Sequence, residues 1–258
     1  MMANQKYPYS LSVVMPVFNE QDVIAKVLAD YAKILKQFQK PELVIVNDCS
    51  TDGTLSALES LRHDHPYLRI ITPPENRGHG PSLARAYRES TGDYIFHCDS
   101  DNQFLAADFW LLWEKLTQAN LDIVIGYRGT RHDPLARLVL TRLVRLFLWL
   151  FFRAAPPDSN CPFRLLTRAS LNRVMPLLPE KPLVPSILIT VAAYKLRMKI
   201  DWVNVTHLPR LTGKSFLRSW KIFKLCSTAV REVVTFKRRI SDFEHEAYLK
   251  TSEHHVKT

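Results

Sequence analysis

The stretch YIFHCDSDNQ, residues 94–103, joins a short apolar run to an abrupt acidic end. The apolar run Tyr94–Cys98 predicts a buried strand, and Asp99 and Asp101 follow at its C-terminal tip. Because hard divalent cations such as Mg²⁺ and Mn²⁺ prefer oxygen ligands, two carboxylates that bracket one residue can face a single ion. The stretch therefore predicts a strand that ends at a cation site, although an Asp-x-Asp pattern by itself is also common in acidic surface loops.

Short β-rich runs alternate with helical stretches along the first half of the chain. Strands are predicted at residues 11–17, 43–46, 68–71, 94–98 and 123–125, and helices at residues 22–38, 54–61, 82–89 and 108–116. This alternation, with nearly continuous apolar strands, is typical of an α/β fold in which helices cover both faces of a mostly parallel sheet. In such sheets we expect ligands to bind outside the carboxyl ends of the strands.

Polar residues directly follow four of the predicted strands. They are Asn19-Glu20, Asn47-Asp48, Asn76-Arg77-Gly78 and the acidic run Asp99–Gln103. Because the carboxyl ends of parallel strands meet at one edge of a sheet, these residues are predicted to line one shared pocket.

The length and composition limit the classes of protein to which this chain can belong. A chain of 258 residues that is 47% apolar suffices for one large α/β domain with additions, or for two small domains. The four cysteines form no Cys-x-x-Cys pair, so we expect neither a zinc site nor a disulfide framework, as in a reducing cytosol. We also expect no signal peptide and no membrane span, because no segment reaches the roughly 20 apolar residues that a span needs.

The whole chain has a net charge of +10, and its positive charge is concentrated in the second half. Residues 210–239 hold nine lysines and arginines against Glu232 alone, and residues 127–153 hold six arginines against Asp133. An anionic partner is therefore predicted to dock on these two segments.

Eight short motifs between Leu11 and Ser215 resemble, in order, those of the family-2 glycosyltransferases, in particular the dolichyl-phosphate mannosyltransferases and related polyprenyl-phosphate enzymes. They are PVFNE (16–20), VNDCSTDGT (46–54), NRGHG (76–80), GD (92–93), DSDNQ (99–103), GYR (126–128), DSNCPFR (158–164) and RLTGKS (210–215). This sequence departs from the family pattern at Asn47, where Asp is frequent, and at Cys49 and Pro162, where Gly is usual. Each motif alone is weak, but the ordered set is specific.

The resemblance implies a GT-A fold, the nucleotide-diphospho-sugar transferase fold, with a site for a GDP- or UDP-hexose and for Mg²⁺ or Mn²⁺. Asp101 and Gln103 are the implied metal ligands, and Asp99 either completes the ion's shell or contacts the ribose. Asp48 would accept hydrogen bonds from the base, whereas Glu20 is equally well explained as an acidic residue at a helix N-terminus. The remaining residues implied in donor binding are Pro16, Phe18, Asn19, Asn47, Arg77, Gly78, Ser100 and Arg210.

The arginines of these motifs bear on whether the sugar acceptor is a hydroxyl or a phosphate. A hydroxyl acceptor needs a general base, whereas a phosphate acceptor is already ionised and needs cations to hold it. By resemblance, Arg128, Arg164 and Ser215 would bind an acceptor phosphate, and Asp101 would act with the two arginines in catalysis. We therefore predict inverting transfer of a hexose to a polyprenyl or dolichyl phosphate.

Three other functions stay open at this point. A base such as Asp133 or Asp158 would permit transfer to a saccharide hydroxyl in surface polysaccharide or glycolipid synthesis. A catalytically silent nucleotide-sugar or membrane-binding subunit is disfavoured by the intact Asp-x-Asp-x-Gln motif. Nucleic-acid binding is disfavoured because Trp220 and Phe223 in the basic segment suit lipid better, and we expect no nucleic-acid partner. The sugar, the base and the oligomeric state are not predicted.

Two segments predict contact with an anionic membrane surface. Residues 135–153 combine a face of arginines with the apolar run Leu146–Phe152, a pattern typical of an interfacial helix or of a core helix. Residues 216–236 place basic side chains opposite an apolar face that includes Val230 and Val234. We therefore expect a glycosyltransferase domain over residues 1–215, a basic amphipathic extension over residues 216–258, and a cytoplasmic protein held peripherally on the cytosolic face of a membrane.

Overall fold

A computed structural model describes residues 6–129, 145–153, 156–209 and 227–243. Within these residues the strands are β1 (Tyr7–Val17), β2 (Phe38–Asn47), β3 (Leu68–Ile71), β4 (Tyr94–His97), β5 (Ile123–Tyr127), β6 (Arg164–Thr167) and β7 (Ile200–Asn204). The helices are α1 (Ile24–Leu35), α2 (Thr54–Leu61), α3 (His79–Glu89), α4 (Phe109–Gln118), α5 (Arg168–Val174) and α6 (Pro185–Lys195). Residues 145–152 and 227–243 are also helical.

The strands form one mostly parallel sheet, which confirms the predicted α/β architecture. Their order is β3-β2-β1-β4-β6-β5-β7, and β6 runs antiparallel to its neighbours β4 and β5. Every residue of β1 from Leu11 to Val17 is buried, as is every residue of β2 from Glu42 to Asn47, so both faces of the sheet are covered there. Because β1 pairs in parallel with both β2 and β4, the carboxyl ends of these three strands lie side by side at one edge of the sheet.

β6 and β7 are strands that the apolar alternation does not predict. Both are short, and Arg164, Asp201 and Asn204 interrupt their apolar pattern. Their pairing with β4 and β5 comes from long-range contacts rather than from local sequence.

The first helix ends earlier than its periodicity predicts. α1 ends at Leu35, and Phe38 begins β2 opposite Tyr7 of β1. The ring of Phe38 is fully buried, with centroids 5.1 Å from Tyr7 and 4.9 Å from Trp113. Because burial of a Phe side chain stabilises the fold by about 1.5–3 kcal/mol, this packing outweighs the helical period.

The 145–152 helix has one buried and one exposed side. Leu148 and Phe152 are buried against the core. Its exposed apolar residues, with 44% to 56% of their surface accessible, are Leu146, Trp149, Leu150 and Phe151. Residues 130–144, which hold Arg137 and Arg142 of the predicted interfacial helix, lie outside the described residues.

The 227–243 helix packs on the same core. Val233, Phe236 and Ile240 are buried, whereas Val230 is exposed on another side of the helix. Residues 210–226 and 244–258, which hold Arg210, Ser215 and most of the predicted extension, lie outside the described residues. In the part of the chain that the structure describes, each helix is too short or too polar to cross a bilayer.

Candidate active site

A cavity of about 630 Å³ opens at the edge of the sheet where β1, β2 and β4 end. Eight residues predicted to form the site line it: Pro16, Phe18, Glu20, Asp48, Gly78, Asp99, Ser100 and Asp101. The predicted convergence of the strand ends on one pocket is therefore observed.

The cavity also has six lining residues to which the family resemblance assigned no role, and of these only Asn76 was predicted, as one of the polar residues that follow the strands. They are Val17, Cys49, Thr51, Asn76, His79 and Ser82. Five of the six lie inside the quoted motifs PVFNE, VNDCSTDGT and NRGHG, so the motifs themselves carried the signal. Ser82 follows these motifs in the first turn of α3, and only the helix position brings it to the cavity.

Asp48 holds the loop that forms one wall of the cavity. Its carboxylate accepts hydrogen bonds from the backbone N–H of Arg77 at 2.9 Å and of Gly78 at 2.7 Å. Asn76 Nδ2 donates to the Asp48 carbonyl oxygen at 2.8 Å. Gly78 has a φ of +87°, in the region that favours glycine. Because each carboxylate oxygen has two lone pairs, Asp48 keeps acceptor capacity toward the cavity.

Asn19 and Asn47, which we predicted to bind the donor, are not among the cavity-lining residues and instead join two loops. Asn47 Oδ1 accepts from Ser50 Oγ, and Ser50 Oγ accepts from the Asn19 N–H at 2.9 Å. Asn19 Oδ1 accepts from the Thr51 N–H at 2.7 Å. This network fixes Thr51 at the cavity, so in the structure both asparagines contribute to its shape. Arg77 likewise contributes its backbone N–H, not a cavity-lining side chain.

Cys49 occupies a position where the resemblance leads us to expect glycine. Its φ is +57°, a left-handed conformation that costs a non-glycine residue about 1–2 kcal/mol. Its Sγ donates to the Pro73 carbonyl oxygen at 3.0 Å, which offsets part of this cost and joins the ends of β2 and β3. The departure from Gly is therefore accommodated without opening the turn.

The acidic end of β4 brings two carboxylates to the cavity. Asp99 Oδ1 is buried without a hydrogen-bond partner, and it lies 3.6 Å from His97 Nε2 and 3.9 Å from His79 Nε2. Burial raises the pKa of Asp99, but His79, His97 and Arg128 outweigh burial and hold that pKa below its usual range. Burial lowers the pKa of His97 to about 4, so its ring is neutral at pH 7.

Asp99 and Asp101 form a donor set that fits Mg²⁺ or Mn²⁺. Both offer carboxylate oxygens, which these ions prefer, and Asp99 Oδ1 is a buried acceptor without a hydrogen-bond partner that a cation would satisfy. Among the residues that the structure describes, no group of three or more His, Cys, Asp and Glu side chains is placed to hold a metal ion. Two carboxylates would leave coordination positions for a diphosphate.

Gln103, the other predicted metal ligand, ties the acidic loop to the segment after β7. Its N–H donates to Asp101 Oδ1 at 3.2 Å, and its Nε2 donates to the Leu208 carbonyl oxygen at 3.2 Å. Gln103 is not among the cavity-lining residues. Its role as a ligand stays a prediction, and its observed contacts position Asp101.

Arg128 and Asp158 form an enclosed ion pair. Arg128 Nε and one terminal nitrogen donate to the two Asp158 oxygens at 2.8 Å and 3.1 Å. The Asp158 side chain is 2% exposed and the Arg128 side chain 14% exposed. This two-point contact fixes the plane of the guanidinium. Arg128 is not among the cavity-lining residues, so its binding of an acceptor phosphate stays a prediction.

Arg164 lies in the core with no exposed surface. Its guanidinium donates to the carbonyl oxygens of Ser159 at 3.3 Å, Cys161 at 2.8 Å and Ser186 at 2.9 Å. These contacts join the loop before β6 to the start of α6. An acceptor phosphate would reach Arg164 only after these contacts rearrange, so binding of the phosphate by Arg164 stays a prediction.

The sequence is similar to known glycosyltransferases. It is 29% identical over 239 residues to a bactoprenol glucosyl transferase of Shigella phage SfX, with 89% of this chain and 74% of the relative covered. It is 28% identical over 213 residues to a dolichyl-phosphate beta-glucosyltransferase of Dictyostelium discoideum, with 76% of this chain and 65% of the relative covered.

The structure resembles glucosyl-3-phosphoglycerate synthase of Mycobacterium tuberculosis in complex with Mn²⁺, UDP and glucosyl-3-phosphoglycerate. The TM-score is 0.61 at 20% identity, and 90% of this chain and 80% of the other are covered. This likeness supports the GT-A fold. The model described as "Glycosyl transferase family 2" matches residues 12–175, which is more than half of the 258-residue chain. The chain therefore belongs to glycosyl transferase family 2 and is a glycosyltransferase, similar to those that act on polyprenyl phosphates.

Proposed function

We propose that this protein transfers a hexose from a nucleotide-diphospho-sugar to a polyprenyl or dolichyl phosphate, with inversion at the anomeric carbon and with Mg²⁺ or Mn²⁺. The observation that carries the proposal is the cavity in which Asp99 Oδ1 lies buried without a hydrogen-bond partner beside Asp101, at the carboxyl ends of the parallel strands. The names of the two relatives support glucose as the first sugar to test.

The lining residues would orient the donor. The loop held by Asp48 forms the wall for the nucleotide, and Asp99 and Asp101 would hold the cation. When bound, that cation neutralises the negative charge that accumulates on the leaving diphosphate. Asp101 is kept in place by the Gln103 N–H, which limits the reorganisation that the site needs during the reaction.

The contacts of Asp158 support an ionised acceptor, and Asp133, the other candidate base, lies outside the described residues. A hydroxyl acceptor would need a general base, but both oxygens of Asp158 accept from Arg128 and the side chain is almost fully buried. That arrangement disfavours Asp158 as a base and favours an acceptor that is already ionised. Arg128 would hold the acceptor phosphate, because a planar guanidinium suits phosphate oxygens.

A partition assay tests this proposal. The protein is incubated with radiolabelled UDP-glucose, GDP-glucose or GDP-mannose, polyprenyl phosphate and Mn²⁺, and the mixture is extracted with organic solvent. We expect label in the organic phase with one donor, and loss of that label when a chelator is added. Label found only in free sugar or in a water-soluble product would contradict the lipid acceptor.

We further propose that the protein lies peripherally on the cytosolic face of a membrane. The exposed apolar side of the 145–152 helix supports this placement, because four adjacent large apolar side chains there face solvent. Lipid is favoured over a protein partner by the high density of arginines in the neighbouring sequence.

Charged substitutions on this side should weaken membrane binding. We expect the double variant Trp149→Glu/Leu150→Glu to bind vesicles of anionic phospholipid at least about tenfold less tightly, since each buried apolar side chain contributes about 1.5–3 kcal/mol. Co-sedimentation with the vesicles measures the effect. Leu111→Glu, at a residue of α4 that is 45% exposed, is the matched control. Equal binding of both variants and the wild type would contradict the membrane contact.

A further inference from the structure

One carboxylate ties the 227–243 helix to the segment that leads into α6. Glu232 accepts from the Leu183 N–H at 2.8 Å and 3.0 Å with its two oxygens, and from the Val184 N–H at 3.1 Å. α6 begins at Pro185, so this carboxylate lies at the positive end of that helix, where negative charge is stabilised. The helix that carries Glu232 is itself anchored in the core through Val233 and Phe236.

The segment that Glu232 holds lies directly against the first turn of α3. A Cβ placed on Gly80 would be 2.2 Å from the Pro182 carbonyl oxygen and 2.6 Å from the Leu183 carbonyl oxygen. Only glycine therefore fits at this position, and the two backbones touch without a side chain between them. A shift of residues 182–184 would be transmitted directly to α3.

That first turn of α3 forms part of the cavity. His79 and Ser82 line it, and the N–H groups of Arg77 and Gly78, immediately before the helix, donate to Asp48. The backbone contacts thus run without interruption from Glu232 to the wall of the donor cavity.

We propose that Glu232 is a positioning residue for the donor site. Its carboxylate clamps residues 183 and 184 against α3, and this contact keeps the N–H groups of Arg77 and Gly78 on Asp48. The 227–243 helix, which lies beyond the residues that match the family model, is by this account a structural part of the donor site. The assignment of the cavity to the donor rests on the proposed function.

Hydrogen exchange tests the clamp without any ligand. Glu232→Gln keeps the side-chain shape but replaces a charged acceptor pair by one neutral oxygen, and Asp242→Asn, at an exposed position of the same helix, is the matched control. In Glu232→Gln we expect the amides of residues 77 and 78 to exchange about tenfold faster than in the wild type, while the β1 amides exchange at the wild-type rate. In Asp242→Asn we expect all these amides to exchange as in the wild type. Unchanged exchange at residues 77 and 78, or equally faster exchange in β1, would overturn the proposal.

Kinetics provide the second readout. For Glu232→Gln we expect the KM for the nucleotide-sugar to rise about fivefold while kcat stays within about twofold, because the change acts on donor binding. An equal loss of kcat with unchanged KM would overturn the positioning role. If no donor is turned over even by the wild type, the proposed function fails, and the exchange experiment alone decides about the clamp.

Discussion

Asp101→Asn is expected to lower the rate of sugar transfer by about 10³-fold while the protein stays folded. Asp101 lines the cavity next to Asp99, and the substitution removes one of the two carboxylates available to a divalent cation. Charge stabilisation of a leaving diphosphate by such a cation contributes several kcal/mol, and about 4 kcal/mol corresponds to a 10³-fold change in rate. The fold is expected to survive because Asn Oδ1 can still accept from the Gln103 N–H.

Initial rates, the melting temperature and Mn²⁺ affinity together check this expectation. Asp22→Asn removes the same charge from an exposed residue just before α1 and serves as the control. We expect Asp101→Asn to lose rate and Mn²⁺ affinity together with an unchanged melting temperature. A rate within about threefold of the wild type would contradict the assignment of Asp101 to cation binding.

Arg164→Met is expected to destabilise the protein by about 3 kcal/mol or more. The buried guanidinium supplies the hydrogen bonds of three carbonyl oxygens, those of Ser159, Cys161 and Ser186. Met fills much of the volume but donates nothing, so the Cys161 carbonyl oxygen loses its donor, whereas those of Ser159 and Ser186 keep the Thr190 hydroxyl as a shared donor. A buried acceptor left without a partner costs about 1–3 kcal/mol, and the lost guanidinium hydrogen bonds to the other two oxygens add to that cost.

Denaturant unfolding measures this loss, and activity separates the two roles that Arg164 can have. Arg173→Met is the control, because Arg173 is exposed and donates to a single carbonyl oxygen, that of Leu196. We expect Arg173→Met to change the free energy of unfolding by less than about 1 kcal/mol. If Arg164→Met instead unfolded like the wild type and only the KM for the acceptor rose, Arg164 would be a phosphate ligand, as the family resemblance implies.

Much of the fold could be predicted because its strands are buried on both faces. Leu11–Val17 is apolar apart from Ser12 and Leu43–Val46 is apolar throughout, and such runs predict a parallel sheet with its ligand site at the carboxyl ends. β6 could not be predicted, since it is a four-residue strand that starts with a buried arginine and pairs in the antiparallel direction with two distant strands.

The motifs predict which residues come together at the site, but they do not predict the hydrogen bonds that these residues make. The motifs place Asp48, Asp99 and Asp101 at one cavity, as observed. Whether a motif residue lines the cavity or supports it depends on hydrogen bonds between loops far apart in sequence, and for this reason Asn19 holds Thr51 rather than lining the cavity itself. The burial of Arg164 likewise depends on the packing of α6, and this packing cannot be predicted from the sequence around Arg164.

The most direct test of the central claim compares two acceptors that differ only in the phosphate. The wild type is incubated with the labelled sugar donor, Mn²⁺ and either polyprenyl phosphate or the corresponding polyprenol, and the extracted product is identified by mass spectrometry. We expect a hexosyl phosphate ester of the polyprenol from the first acceptor and no product from the second, because this site would hold an ionised acceptor with Arg128. Transfer to the polyprenol at a comparable rate would contradict the proposed lipid-phosphate acceptor, since an alcohol acceptor requires a general base and the proposed function assigns none to this site.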